Sequence, residues 1–202
     1  MTHLFCIIDR SGSMTGLEHS TIEGYNEYLK SLSKEKDVRL TTVLFDHEII
    51  VFNDSTPIKK SKRLTRDEYQ PRGSTALIDA VCKTINENKS KVKKDDKALV
   101  LIITDGAENC SKEYNSKQLH DLVTKLEKKN WTFTYLGANQ DAWAVTQAYG
   151  FKAGNVSTYV STTTGTIKAF ASMSVNTMNY VRNSGSNSGS FYVDDAESLK
   201  NA

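Results

Sequence analysis

Two stretches of this chain, HLFCIID at residues 3–9 and KALVLIITD at 97–105, are apolar almost without a break, and each stops at an aspartate. A strand with one face in water alternates apolar and polar residues. Unbroken runs of this length therefore predict strands covered on both faces. Further runs of strand character follow: VRLTTVLFD (38–46), EIIVFN (48–53), WTFTYLGA (131–138) and the shorter NVSTYV (155–160). Between them, apolar residues recur near helical spacing. Leu17, Ile22, Tyr25, Leu29 and Leu32 mark a helix over 15–33, and Leu77, Ile78, Val81 and Ile85 mark one over 75–92. Leu119, Leu122, Val123 and Leu126 mark a third over 116–129. DAWAVTQAYG (141–150) reads as a short helix closed by a glycine, and TIKAFASMSVNTMNYV (166–181) as the last helix.

Strands that alternate with helices predict an α/β fold, doubly wound, with a mainly parallel six-stranded sheet and helices on both faces. The runs at 38–46 and 48–53 meet across His47, which is too tight for a crossover. They predict a hairpin, and so one antiparallel edge strand.

The chain has 202 residues, of which 38% are hydrophobic, enough for one domain with a sizeable core. A formal net charge of +2 gives no general attraction to nucleic acid. No segment is long and apolar enough to cross a bilayer. The sequence enters a strand at about residue 2 with no basic, leader-like stretch, and reads as the mature start of a domain. Cys6 and Cys82 fall in apolar patterns, and three cysteines cannot all pair within the chain. Free thiols and a cytoplasmic setting are expected. The domain is expected to span 1–182. NSGSNSGS (183–190) then reads as a Ser/Gly linker, and FYVDDAESLKNA (191–202) as a solvated tail with an acidic centre.

In open α/β sheets, binding sites form beyond the carboxyl ends of the strands. Asp9 and Asp105 both stand at such ends. Ser11 and Ser13 follow Asp9 at a spacing that lets both hydroxyls face one side of a tight loop. Thr75 begins a helix after the loop PRGST (71–75), which enters from the same edge. The topology thus allows Asp9, Ser11, Ser13, Thr75 and Asp105 to converge. Two carboxylates and three hydroxyls suit a hard divalent cation such as Mg²⁺ or Mn²⁺, and no Cys/His set for zinc is present. Each residue also has a plainer reading. Asp9 is a strand end, Ser11, Ser13 and Thr75 are potential helix caps, and Asp105-Gly106 is a turn.

DRSGS (9–13), GSTALIDAV (73–81) and IITDGAEN (102–109) together resemble the von Willebrand factor A family. They match its Asp-x-Ser-x-Ser signature, its Gly-x-Thr-x-Leu segment and its strand followed by Thr-Asp-Gly. The resemblance covers about residues 1–182 and extends to small stand-alone bacterial and phage members, including those associated with tellurium-resistance systems. It implies a Rossmann-like fold with a metal-ion-dependent adhesion site. Ser11, Ser13 and Thr75 would bind Mg²⁺ or Mn²⁺ directly, and Asp9 and Asp105 largely through water. It further implies a non-enzymatic adaptor, expected as a monomer, that takes an Asp or Glu carboxylate of a protein partner. Arg10, at the variable position of the signature, is expected to help attract that partner.

The competing reading is a Mg²⁺-dependent phosphoryl-transfer enzyme or phosphatase with Asp9 as nucleophile. Asp9 stands where haloacid-dehalogenase-type phosphatases carry theirs, but Ser11 replaces the second aspartate which those enzymes need. No phosphate loop, dinucleotide fingerprint or Gly-x-Ser-x-Gly elbow occurs. Asn139, Gln140 and Asp141 end another strand at the same edge, as helix caps or as ligand contacts. Cys110 is expected to be an inert thiol. The basic run KKSKRLTR (59–66) reads as a solvated face or a guide for an acidic partner, and KSKVKKDDK (89–97) as a solvated connection. Asp194, Asp195 and Glu197 could reach a metal site from the tail, against the plainer reading of a solvated end.

Overall fold

A computed structural model of the chain describes residues 1–138, 142–183 and 189–192. Six strands form one sheet: β1 (Thr2–Asp9), β2 (Val38–Phe45), β3 (Ile49–Pro57), β4 (Lys97–Thr104), β5 (Trp131–Ala138) and β6 (Val156–Tyr159). Among the described residues four helices connect them, α1 (Glu18–Leu32), α2 (Leu77–Asn88), α3 (Ser116–Glu127) and α4 (Ala142–Gln147), and α5 (Thr163–Arg182) follows β6. The strand order is β3-β2-β1-β4-β5-β6. All neighbours run parallel except β2 and β3. The architecture expected from the apolar runs is the one observed.

Period-2 geometry divides the strand residues between two cores. Leu4, Cys6 and Ile8 of β1 join Leu99, Leu101 and Ile103 of β4 on the face covered by α1 and α5. Phe5 and Ile7 join Val100 and Ile102 on the opposite face, under α2 and α3. Both sets are apolar because both faces are covered, which is why these strands read as unbroken runs.

Element ends follow local chemistry. Asn115 caps α3 in a reciprocal box with Gln118: its side chain accepts from the Gln118 N–H, and the Gln118 side chain accepts from the Asn115 N–H. Thr162 accepts from Gly165 N–H at 3.1 Å and starts α5 earlier than its apolar pattern indicates. The helix marked over 75–92 ends at Asn88, and a 3-10 turn takes Lys89–Lys91.

β3 is longer than EIIVFN, because backbone pairing with β2 carries it through the polar Asp54–Pro57. Asn53 is buried there, with its Nδ2 donating to Tyr25 Oη at 3.1 Å and its Oδ1 accepting from Lys62 N–H at 2.9 Å. The β2–β3 register shifts twice, and Ser55 takes a φ of 41°.

Phe191 and Tyr192 lie beyond residue 182 yet are buried against the α1/α5 core. Tyr192 N–H donates to Gly154 O at 2.8 Å, and Phe191 N–H to Asn155 Oδ1 at 3.1 Å. The packed body therefore includes this pair. Among the described residues, no helix is long and apolar enough to cross a membrane.

Candidate metal centre

Strand order reverses direction at β1, with β2 and β3 to one side and β4, β5 and β6 to the other. A crevice beyond the carboxyl ends of β1 and β4 is the expected ligand position in such a sheet. Asp9 ends β1, and Asp105 is the first residue after β4. Ile8 pairs with Ile103, so Asp9 stands level with Thr104 and Asp105 lies one residue farther out.

The turn after β1 brings in the two serines. Ser11 Oγ and Ser13 Oγ are 3.1 Å apart. The Ser13 hydroxyl donates to Asp105 Oδ1 at 2.6 Å. Thr75 arrives from the loop before α2, and backbone contacts hold that loop in place. Gly12 N–H donates to Gly73 O at 3.1 Å, and Asn109 N–H donates to Thr75 O at 3.1 Å. Thr75 N–H in turn donates to Asn109 Oδ1 at 2.9 Å.

Gly106 shows how closely these groups converge. A methyl group there would stand 2.8 Å from Thr75 Oγ1, 3.1 Å from Ser13 Oγ and 3.3 Å from Ser11 Oγ. Three hydroxyl oxygens thus surround one point, with the carboxylates of Asp9 and Asp105 beside it. The structure brings all five residues expected at the site to one place.

The donor set fits a hard divalent ion. It holds neutral hydroxyls and carboxylates, with neither sulfur nor imidazole among them. Ser13 gives its proton to Asp105, which leaves its oxygen lone pairs for a cation. Burial pushes the Asp9 carboxyl up from its ordinary 3.8 to about 6, against the hydrogen bonds from Thr104 and Ser11. The neighbouring Asp105 adds to that rise, and burial raises Asp105 as well. Two carboxylates whose charge is costly in the bare protein are stabilised by a nearby cation. Asp9, Ser11 and Thr75 are buried, whereas Ser13 is exposed and Asp105 partly so, which gives the site one open side.

Several further residues support the site. Thr104 donates its hydroxyl to Asp9 Oδ2, and Tyr69 Oη donates to the Asp9 carbonyl at 2.6 Å. The Glu108 carboxylate accepts from Ile78 N–H at 2.8 Å, Cys110 N–H at 2.9 Å and Ser111 N–H at 2.8 Å. Asp79 accepts from the N–H groups of Lys112, Glu113 and Tyr114. The loop after Asp105 is thereby clamped to the start of α2. Thr104, Asp79 and Glu108 fall within the motif segments, but their bonds to Asp9, to the loop at 112–114 and to Ile78 join residues distant in sequence, which the motifs alone do not show.

Arg10 departs from expectation. Its side chain is buried, and its Nη2 lies 3.1 Å from Asp46 Oδ2, so it faces inward rather than toward a partner. Arg72 Nε stands 3.0 Å from the same oxygen. Arg72 N–H donates to Arg10 O, and Ala76 N–H to Asp46 O, both at 2.9 Å. Asp46 thus ties the serine turn to the threonine loop.

Asp46, His47 and Glu48 also place ligand atoms within 4.8 Å of one another. Two guanidinium groups already occupy Asp46, and Arg72 pairs with Glu48 too. That arrangement is an ion network whose positive charges repel a second cation. Cys110 is partly buried, and its thiol is raised chiefly by burial and then by Glu108, in keeping with an inert thiol. Asn139, Gln140 and Asp141, and Asp194, Asp195 and Glu197 of the tail, lie outside the described residues.

Solved structures share this architecture. The vWF domain of the type V pili tip protein Mfa5 from Porphyromonas gingivalis is similar at a TM-score of 0.65 and 12% identity, over 90% of this chain and 96% of that one. A von Willebrand factor type A structure from Catenulispora acidiphila is similar at 0.61 and 13%, over 88% of this chain but 42% of that one. The manganese-loaded TRAP protein of Plasmodium vivax is similar at 0.61 and 21%, over 84% of this chain and 73% of that one. No family model matches the sequence, and no curated protein matches it. The fold is that of a von Willebrand factor A domain.

Proposed function

We propose that the chain is a protein-binding module, not an enzyme, which docks a carboxylate of a partner protein through Mg²⁺ or Mn²⁺. Ser11, Ser13 and Thr75 hold the ion directly, and Asp9 and Asp105 act largely through water. The ion supplies a positive charge and a coordination position that a partner's Asp or Glu can fill. The observation that carries this reading is the set of three hydroxyl oxygens around one point beside Gly106. The open side at Ser13 and Asp105 supports an outside ligand. A manganese-loaded protein among the structural neighbours adds support for the type of ion.

The non-enzymatic reading rests on Asp9. Its side chain is buried, and its two oxygens accept from Ser11 N–H and the Thr104 hydroxyl, so it is not presented as a nucleophile. Three free cysteines support a reducing, cytoplasmic setting, where we place the chain as a monomer.

Titration calorimetry with Mg²⁺ and Mn²⁺ tests the proposal on the wild type, Asp9→Ala and Thr75→Ala. Binding to the wild type and its loss in both variants, with unchanged circular dichroism, is the expected result. Undiminished binding in Thr75→Ala overturns the assignment. A panel of phosphate esters tests the rival: Mg²⁺-dependent turnover lost in Asp9→Ala would establish an enzyme.

A further inference from the structure

The end of the sheet opposite the metal centre carries a cleft of about 610 Å³. It opens between the ends of α2 and α3, the turn after α2 and the start of β5. Its rim holds Lys89, Lys93, Lys94, Lys125, Lys128 and Lys129, and among the described residues no acidic one lines it. Val92, Leu122, Leu126 and Trp131 form its floor. Read along the sequence, the first three lysines belong to a solvated connection and the others to a helix end. The fold gathers both sets around one concavity.

The charge there is not tied up in ion pairs. Among the described residues none of the six lysines pairs with a carboxylate, whereas Lys83, Lys91, Lys117 and Lys152 each do. Like charges gathered on one rim raise the local potential and favour an anionic occupant.

The lining discriminates among anions. The Trp131 ring is buried and stacked at 5.3 Å on Phe5 and at 6.1 Å on Phe133, so it offers no free face to a nucleobase. Among the described residues no arginine lines the cleft, and arginine is the side chain suited to bidentate phosphate contacts. None of the exposed large hydrophobic residues lies in it, which leaves a membrane without an apolar anchor. A concave apolar floor inside a lysine rim matches a peptide whose carboxylates flank an apolar side chain.

We propose that this cleft is a second docking site, for an acidic, apolar-anchored peptide segment of a partner protein. It acts independently of the metal centre. β4 and β5 each begin at the cleft end and finish at the metal end, and eight residues of β4 separate the two by about 26 Å. The domain then has two poles, one for a metal-bridged carboxylate and one for an acidic peptide.

The test uses the full chain and a fluorescein-labelled synthetic peptide of Glu and Leu residues, followed by anisotropy. The expected result is saturable binding that weakens about tenfold or more in K125E/K128E/K129E. Binding should be unchanged by EDTA and by Asp9→Ala. Absence of binding, or equal binding to the charge-reversed variant, overturns the proposal. So does equal or tighter binding of an oligo-dT of the same charge, or of phosphatidylserine-containing vesicles. Peptide binding that appears only after deletion of residues 193–202 would assign the cleft to the chain's own acidic tail, and would also overturn it.

Discussion

At position 106 a hydrogen atom is all that separates the backbone from three hydroxyl oxygens. Any side chain there competes with a cation for the same space. Gly106→Ala should therefore weaken Mg²⁺ binding by about fivefold to about a hundredfold, since crowding of this kind costs about 1–3 kcal/mol. Calorimetric titration of the variant checks this, and wild-type affinity would argue against a metal at that point. Asp9 yields a prediction about pH. Its carboxyl sits at about 6 in the folded, metal-free chain and at 3.8 ordinarily. Between those values the folded state holds a proton which the unfolded chain releases. Stability in EDTA should therefore fall as pH rises from about 4 to about 6, by about 2–3 kcal/mol. A bound cation offsets that loss, so the rise in Tm caused by Mg²⁺ should be larger at pH 7.5 than at pH 5. Thermal melts in Mg²⁺ and in EDTA at both values measure the difference, and an equal rise at both would count against it. The types and positions of Asp9, Ser11, Ser13, Thr75 and Asp105 were legible in the sequence, because each closes a strand or opens a loop at one sheet edge. The inward turn of Arg10 was not, because its partner Asp46 lies on a different strand end.

At the scale of elements, α1 and α5 meet at Gly24. A Cβ there would come within 2.5 Å of Phe170 Cδ2, deep in the core. Alanine would ordinarily stabilise a helix interior by about 1 kcal/mol relative to glycine. Here the clash with a buried ring outweighs that gain, and Gly24→Ala should destabilise the domain by about 1–3 kcal/mol. Urea unfolding gives the sign directly, and a stabilised variant would mean that the two helices have room to part. The strands and most helices could be read from apolar periodicity, because two covered sheet faces impose it. The second half of β3 could not. Asp54–Pro57 is polar, and only its pairing with β2 makes it a strand. The start of α5 lies outside the apolar pattern for a related reason: Thr162 sets it by capping, upstream of the first apolar residue.

Across the whole molecule, the sheet separates two chemistries. Hydroxyl and carboxylate oxygens gather past the carboxyl ends of β1 and β4, while lysines gather where β5 begins. The two proposed docking sites therefore stand at opposite ends of the sheet, where neither would obstruct the other. The lateral rims of the sheet have a different character. On one side β3 breaks register against β2, twists at Ser55 and ends in Pro57. On the other, β6 has only four residues. An incoming strand would find donors and acceptors out of step along the first rim and too few of them along the second. Any strand added at either border is thus held to a short stretch, residues 49–53 before the break on the first rim and the four residues of β6 on the second.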